Sequence, residues 1–229
     1  MSKTIDIKTS HGSGLTGYLA EPEENNGAGI LLIQEIFGVN SHIRDVADLY
    51  AAAGYTVLAP DVFWRAEPKI ELGYSPEDMQ KGMAIVGKLD KEQMLQDLLD
   101  AITTLKAQPG CGKVAAVGYC MGGTFSFRLA AKGAVDAAVC YYGGQISQVL
   151  SEAANIKGPI MLHFGDQDKH IPAEVVSQIA NALKGHKQAQ VLTYHADHGF
   201  NCDQRGSYNR FAAMLAYGRT SVFLNRSLA

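Results

Sequence analysis

A chain of 229 residues with 47% apolar positions is long enough to bury one sizeable core, and its 20 basic and 23 acidic residues leave a formal net charge of −3. That balance lacks the basic excess of a general nucleic-acid or anionic-membrane binder, and the apolar content, with 24 Gly and 7 Pro scattered without a period, excludes disorder, coiled coil and collagen. No apolar run approaches the roughly 20 residues of a membrane span, and Met1 to Asp6 lack the apolar stretch of a secretory signal, so a cytoplasmic chain is expected.

Taken in order, short aliphatic or β-branched runs alternate with longer segments of helical period, the pattern of an α/β protein with a mostly parallel sheet. Residues 4–8 and 15–20, split by His11-Gly12-Ser13-Gly14, read as an antiparallel hairpin of alternating polarity. Runs at 28–34, 55–59, 113–118, 134–140, 159–163 and 190–194 read as strands buried on both faces. Helices are predicted over 43–53, 76–86, 91–107, 121–131, 173–183 and 205–224. The clearest, 91–107, has Asp90 as its cap and carries a stripe of Met94, Leu95, Leu98, Leu99, Ile102 and Leu105. The segment 61–112, with its Trp64-Arg65 pair, is the longest without a strand and the natural place for a lid. No internal repeat or linker divides the chain, so residues 1–229 are read as a single domain.

The sharpest local signal follows the run at 113–118: Gly118-Tyr119-Cys120-Met121-Gly122, a buried strand entering G-x-C-x-G and then a helix. This is the nucleophile-elbow pattern with cysteine in the serine position. Its glycines are expected to prevent collisions around a strained turn, at Gly118 and Gly122. Cys120 then stands at a helix N-terminus, where the dipole and free N–H groups favour a thiolate. The bland alternative is an inert buried thiol beside a tight turn. The other cysteines, Cys111, Cys140 and Cys202, form no C-x-x-C with it or with one another, which argues against a zinc ribbon or a redox pair.

A nucleophile needs a base and the base an orienter, and hydrolases with this elbow keep the order nucleophile, acid, histidine. After the strand at 159–163 comes Asp166-Gln167-Asp168-Lys169-His170-Ile171-Pro172, and after that at 190–194 comes His195-Ala196-Asp197-His198-Gly199. Both loops fall at carboxyl ends of parallel strands, the edge where open α/β folds place their sites. Asp168 is preferred to Asp166, which lies against Gly165 and suits the turn. His198 is preferred to His195, which ends the strand, while His163, His170 and His186 read as a strand-end and two surface histidines. Metal sets drawn from His163, Asp166, Asp168 and His170, or from His195, His198 and Cys202, lack a recognised ligand spacing.

Acyl transfer also requires donors for the developing oxyanion. The Met121 N–H, next after the nucleophile, supplies one, and the loop after the strand at 28–34 is placed to supply the second from Ile36. Glu35, at the end of a buried strand, must have a partner. It either faces Cys120 and holds its proton or is salt-bridged to Arg44 or another base.

These residues carry a resemblance over nearly the whole chain. Gln34-Glu35-Ile36-Phe37-Gly38-Val39-Asn40, Ala59-Pro60-Asp61, Gly118-Tyr119-Cys120-Met121-Gly122-Gly123, Tyr141-Tyr142-Gly143, Asp168 with Pro172, and His198-Gly199-Phe200 with Arg205 resemble the dienelactone hydrolase family, cysteine-dependent members of the α/β-hydrolase superfamily. The resemblance implies a sheet of about eight strands with helices on both faces. It also implies a triad of Cys120, Asp168 and His198, a regulatory Glu35, oxyanion donors at Ile36 and Met121, and opening of an enol lactone that bears a carboxylate, as in aromatic-compound degradation. Members of the family hold that carboxylate with two arginines. Here no arginine falls between Arg65 and Arg128, which leaves Lys81 as the nearest basic substitute and Arg205 as the second group. A point-charge lysine lacks the planar fork of arginine.

The expected activity is therefore carboxylic ester hydrolysis of a small-molecule lactone or ester by a monomer, with no metal or organic cofactor, no nucleic acid and no membrane partner. Two alternatives use the same residues: a broad-specificity small-ester hydrolase, and a non-hydrolytic thiol redox sensor on the same fold.

Overall fold

The computed structural model describes residues 1–229, which form two compact units, Met1–Val114 and Ala115–Ala229. In the first, β1 (Ser2–Asp6) and β2 (Thr16–Ala20) make the expected antiparallel hairpin, with Ser2 opposite Ala20 and Asp6 opposite Thr16. Next come β3 (Ala28–Ile33) and β4 (Thr56–Pro60), parallel to each other, with β4 antiparallel to β2, giving the order β1-β2-β4-β3. Every residue of β3 and β4 is buried, as their unbroken apolar runs require.

Three helices complete this unit: α1 (Ser41–Ala52), α2 (Pro76–Val86) and α3 (Lys91–Lys106). Each begins on a side chain that satisfies free N–H groups. Asn40 accepts from the Ile43 N–H, Ser75 forms a capping box with Asp78, and Asp90 accepts from Glu92 and Gln93 at 2.8 and 2.9 Å. The buried face of α3 differs from expectation: Asp97 and Ala101 are buried, while Leu99 is only half covered. A buried carboxylate needs full compensation, and Asp97 has it. The Arg65 fork donates to both its oxygens at 2.8 and 2.9 Å, and Trp64 Nε1 donates at 2.8 Å. The Trp64-Arg65 pair is thus an anchor on α3.

From Ala115 on, the second unit holds most of β5 (Lys113–Tyr119), then β6 (Ala137–Tyr141), β7 (Ile160–Gly165) and β8 (Ala189–Tyr194), all parallel and in that order. Between and after them lie α4 (Met121–Ala131), α5 (Ala173–Ala182) and α6 (Arg210–Leu228). A 3₁₀ segment at Gly144–Asn155, unpredicted, fills the connection from β6 to β7. The chain therefore carries eight mostly parallel strands interleaved with helices, the α/β class read from its periodicity. Two expectations are corrected. β8 is an edge strand whose residues are mostly half or fully exposed, since its polar Gln190 and Thr193 cannot be buried on both faces. The last helix begins at Arg210 because Asn209, whose side chain accepts from the Ala212 N–H at 3.1 Å, is its cap.

Tyr119, Tyr141 and His163 occupy paired positions on β5, β6 and β7 and stack in sequence, with ring centroids 4.6 and 4.4 Å apart. His163 is fully buried: Nδ1 bonds the Tyr194 hydroxyl at 2.8 Å, Nε2 the Thr220 hydroxyl at 3.0 Å, and Thr220 in turn meets Tyr141 Oη at 2.8 Å. Burial, and secondarily the Arg219 charge, lowers its pKa to about 3, so the folded ring is neutral. The stability this contributes is complete above the ordinary histidine value near 6.5 and is lost as the pH falls below it. Urea unfolding is accordingly expected to show stability declining from pH 7 to pH 5 by about 1–2 kcal/mol more in the wild type than in His163→Gln. Equal slopes would assign the acid sensitivity elsewhere.

Candidate active site

The turn from β5 to α4 is built around Cys120, whose φ of 54° and ψ of −113° lie where a side chain is costly, on the order of 1–3 kcal/mol. Local bonds hold it there. The Cys120 N–H donates to Tyr141 O at 2.9 Å, and its carbonyl accepts from Gly123 at 3.0 Å and Thr124 at 3.4 Å. A Cβ at Gly118 would collide with the Gly122 carbonyl group and stand 2.6 Å from Ser126 Oγ; one at Gly123 would stand 2.6 Å from Tyr141 O. The close approach to the neighbouring strand therefore belongs to Gly123, one residue beyond the glycine expected to require it. Met121, as the first residue of α4, has an amide with no carbonyl four residues back to bond, so its N–H is available beside the sulfur.

Asp168 and His198 arrive on the loops that follow β7 and β8, at the same carboxyl edge as Cys120. The two loops are pinned together: Asp166 N–H donates to Tyr194 O at 2.8 Å, Gln167 N–H to Ala196 O at 3.0 Å, and Gly165 lies so close to the Ala196 carbonyl that a Cβ would collide. Asp168 is buried. Its Oδ1 accepts from the His170 and Ile171 N–H groups at 2.8 and 3.2 Å, and its Oδ2 meets His198 Nδ1 at 2.7 Å. Burial alone raises its pKa, but the hydrogen bond and charge of His198, then the N–H and charge of His170, outweigh burial and hold it below the ordinary value.

His198 also hydrogen-bonds the Cys120 side chain. Burial pushes its pKa down; the Cys120 charge above all, with the Asp168 and Cys120 hydrogen bonds and the Asp168 charge, reverses this and raises it to about 10. The imidazole is thus a stable proton holder between a sulfur and a carboxylate. A second pair, His195 Nδ1 with Asp166 Oδ1 at 3.1 Å, lies earlier on the same two loops but is largely exposed. Burial separates the two pairs and favours the first for chemistry. The metal sets weighed from sequence do not assemble, because His163 is turned to Tyr194 and Thr220 while His195 is turned to Asp166.

Around His198 stand Tyr142, 5.0 Å between ring centroids, and His170, 5.4 Å away and nearly perpendicular at 76°. Tyr142 has a φ of 38°, and its N–H donates to His163 O at 2.8 Å. The Arg205 guanidinium packs over Gly199, where a Cβ would stand 2.5 Å from Nη1, so a glycine with φ of +77° is what admits it.

The remaining candidates lie in the first unit and have local partners there. Glu35 is buried and accepts from the Tyr74 hydroxyl at 3.2 Å, a contact sequence reasoning did not find. Arg44, weighed as its partner, is held instead by Glu71 at 2.7 Å and the Val39 carbonyl at 2.7 Å. Ile36 presents its carbonyl to Gly82, leaving no room there for a side chain. Lys81 forms an exposed ion pair with Glu67 at 2.9 Å. No helix is long and apolar enough to cross a membrane.

Comparison with known proteins identifies the family. The model of the dienelactone hydrolase family matches residues 15–228. The carboxymethylenebutenolidase of Pseudomonas putida is 33% identical, covering 98% of this chain and 96% of that protein. Carboxymethylenebutenolidase 1 of Cupriavidus pinatubonensis is 30% identical, covering 98% and 97%. Among solved structures, the dienelactone hydrolase of Anabaena variabilis superposes with a TM-score of 0.72 over 99% of this chain and 98% of that one; at 19% identity this speaks to the fold alone.

Proposed function

Because the chain belongs to the dienelactone hydrolase family, an ester-hydrolysing group, we propose that Cys120, His198 and Asp168 are its catalytic triad and that a small lactone or ester bearing a carboxylate is its substrate. The observation that carries the reading is the 2.7 Å contact of Asp168 with a His198 that also hydrogen-bonds Cys120 at a positive-φ elbow. Cys120 as thiolate attacks the carbonyl carbon, and the Met121 N–H stabilises the oxyanion. The His198 imidazolium gives its proton to the departing enolate or alkoxide oxygen. Neutral His198 then takes a proton from water, whose oxygen attacks the thioester carbonyl; collapse releases the acid and returns the Cys120 thiolate beside the His198 imidazolium. Asp168 fixes the tautomer and stabilises the imidazolium. For Glu35 as a guard of the resting thiol, and for the Ile36 N–H as second oxyanion donor, the support is the family resemblance. The proposal includes a cytoplasmic monomer, in keeping with a nucleophile that must stay reduced.

The engagement of Lys81 by Glu67 favours a second reading, a broad small-ester hydrolase with little preference for carboxylates. Rates on a dienelactone and on neutral p-nitrophenyl esters, for the wild type, Arg205→Ala and Glu35→Ala, decide between them. We expect kcat/KM at least about tenfold higher on the lactone, falling several-fold in Arg205→Ala. Indifference of the lactone rate to that change supports the broad hydrolase. Absence of any ester turnover, with ready sulfenic-acid formation at Cys120, supports the redox sensor.

A further inference from the structure

His170 reads from sequence as a surface histidine, yet the fold sets its exposed ring edge-on against His198. Its backbone is fixed, since its N–H is bound to Asp168 Oδ1 at 2.8 Å. The charged groups facing it are Asp168, on its own loop, and His198, on the loop after β8, with the Cys120 sulfur beyond. Thiolate, imidazolium and carboxylate together carry one net negative charge, which disfavours the approach of any second anion. A hydrogen-bond donor or positive group at position 170 offsets it.

Reach agrees with charge. An acyl group on the Cys120 sulfur lies beside His198, and a carboxylate two or three carbons from its carbonyl extends about 4–5 Å further. The centroid of His170 is 5.4 Å from that of His198, and its ring is open to solvent. We propose that His170 is a specificity-determining residue of this site, pairing through its ring N–H with a carboxylate on the acyl part of the substrate. The inference rests on the reading of Cys120 as nucleophile and supplies a partner for that carboxylate where Lys81 is engaged by Glu67.

Alkylation of Cys120 by iodoacetate and by iodoacetamide tests it without depending on ester turnover. In both the thiolate forms a carbon–sulfur bond and iodide leaves; only the first reagent carries a carboxylate. At pH 6, followed on the Cys120 peptide by mass spectrometry, the iodoacetate-to-iodoacetamide rate ratio is expected to fall about five- to tenfold in His170→Gln and to return in His170→Arg, with the iodoacetamide rate changing less than about twofold. His170→Gln is likewise expected to lower kcat/KM on p-nitrophenyl hemisuccinate by a like factor and to spare p-nitrophenyl butyrate, and His170→Arg to restore the hemisuccinate rate. An unchanged ratio, or equal loss with both reagents, overturns the proposal. A responsive ratio in a protein that hydrolyses neither ester upholds His170 and overturns the hydrolytic reading instead.

Discussion

Cys120→Ala is expected to lower kcat/KM on every ester the wild type hydrolyses by about 10⁴- to 10⁶-fold, the range over which loss of a triad nucleophile leaves only binding and oxyanion stabilisation. The substitution removes the atom that forms the bond, while Ala keeps a Cβ and so makes the same demand on a backbone held at φ 54°. The hydrogen bonds of the elbow are made by main-chain groups, from Cys120 N–H to Tyr141 and from Gly123 and Thr124 to Cys120 O, and these persist. Thermal melting of the variant therefore separates loss of chemistry from loss of fold. Retained hydrolysis in a folded Cys120→Ala protein would remove the mechanism.

The second large effect is at Asp168. Asn keeps an oxygen to accept from the His170 and Ile171 N–H groups but cannot supply the charge facing His198 Nδ1. A fall of about 10³- to 10⁴-fold in kcat is expected, as when an orienting carboxylate is neutralised in related triads. The pH profile should move in a definite direction. In the wild type the His198 proton persists until about pH 10 and the alkaline limb of kcat/KM lies there, since the imidazolium must protonate the leaving group. Removing the Asp168 charge lowers that pKa toward its ordinary value, so the alkaline limb shifts to lower pH by one unit or more. A reduced rate with an unmoved limb would show that Asp168 orients the ring without holding its proton.

Much of this arrangement was legible in the sequence because it depends on strong local signals. Continuous apolar runs become parallel strands, and Cys120, Asp168 and His198 each lie in the turn or loop that follows one of them. What was missed depends on pairing across the fold. The 3₁₀ segment at Gly144–Asn155 has no 3.6-residue period to find, and its kink at Val149 blurs what period it has. Buried polar groups such as His163 and Asp97 carry no mark of burial in a single sequence. Their partners, Thr220 and Arg65, lie tens of residues away, as Tyr74 does from Glu35. Lys81 illustrates the converse: a basic residue in the right segment is occupied by a carboxylate, Glu67, that sequence reading gave no reason to pair with it.

The most direct measurement on the central claim is mass spectrometry of protein quenched during turnover of an activated ester. The account predicts a transient acyl adduct on the Cys120 peptide, formed and discharged at rates consistent with kcat and absent from Cys120→Ala. Steady turnover with the acyl mass on another residue, or with none on any, would contradict it.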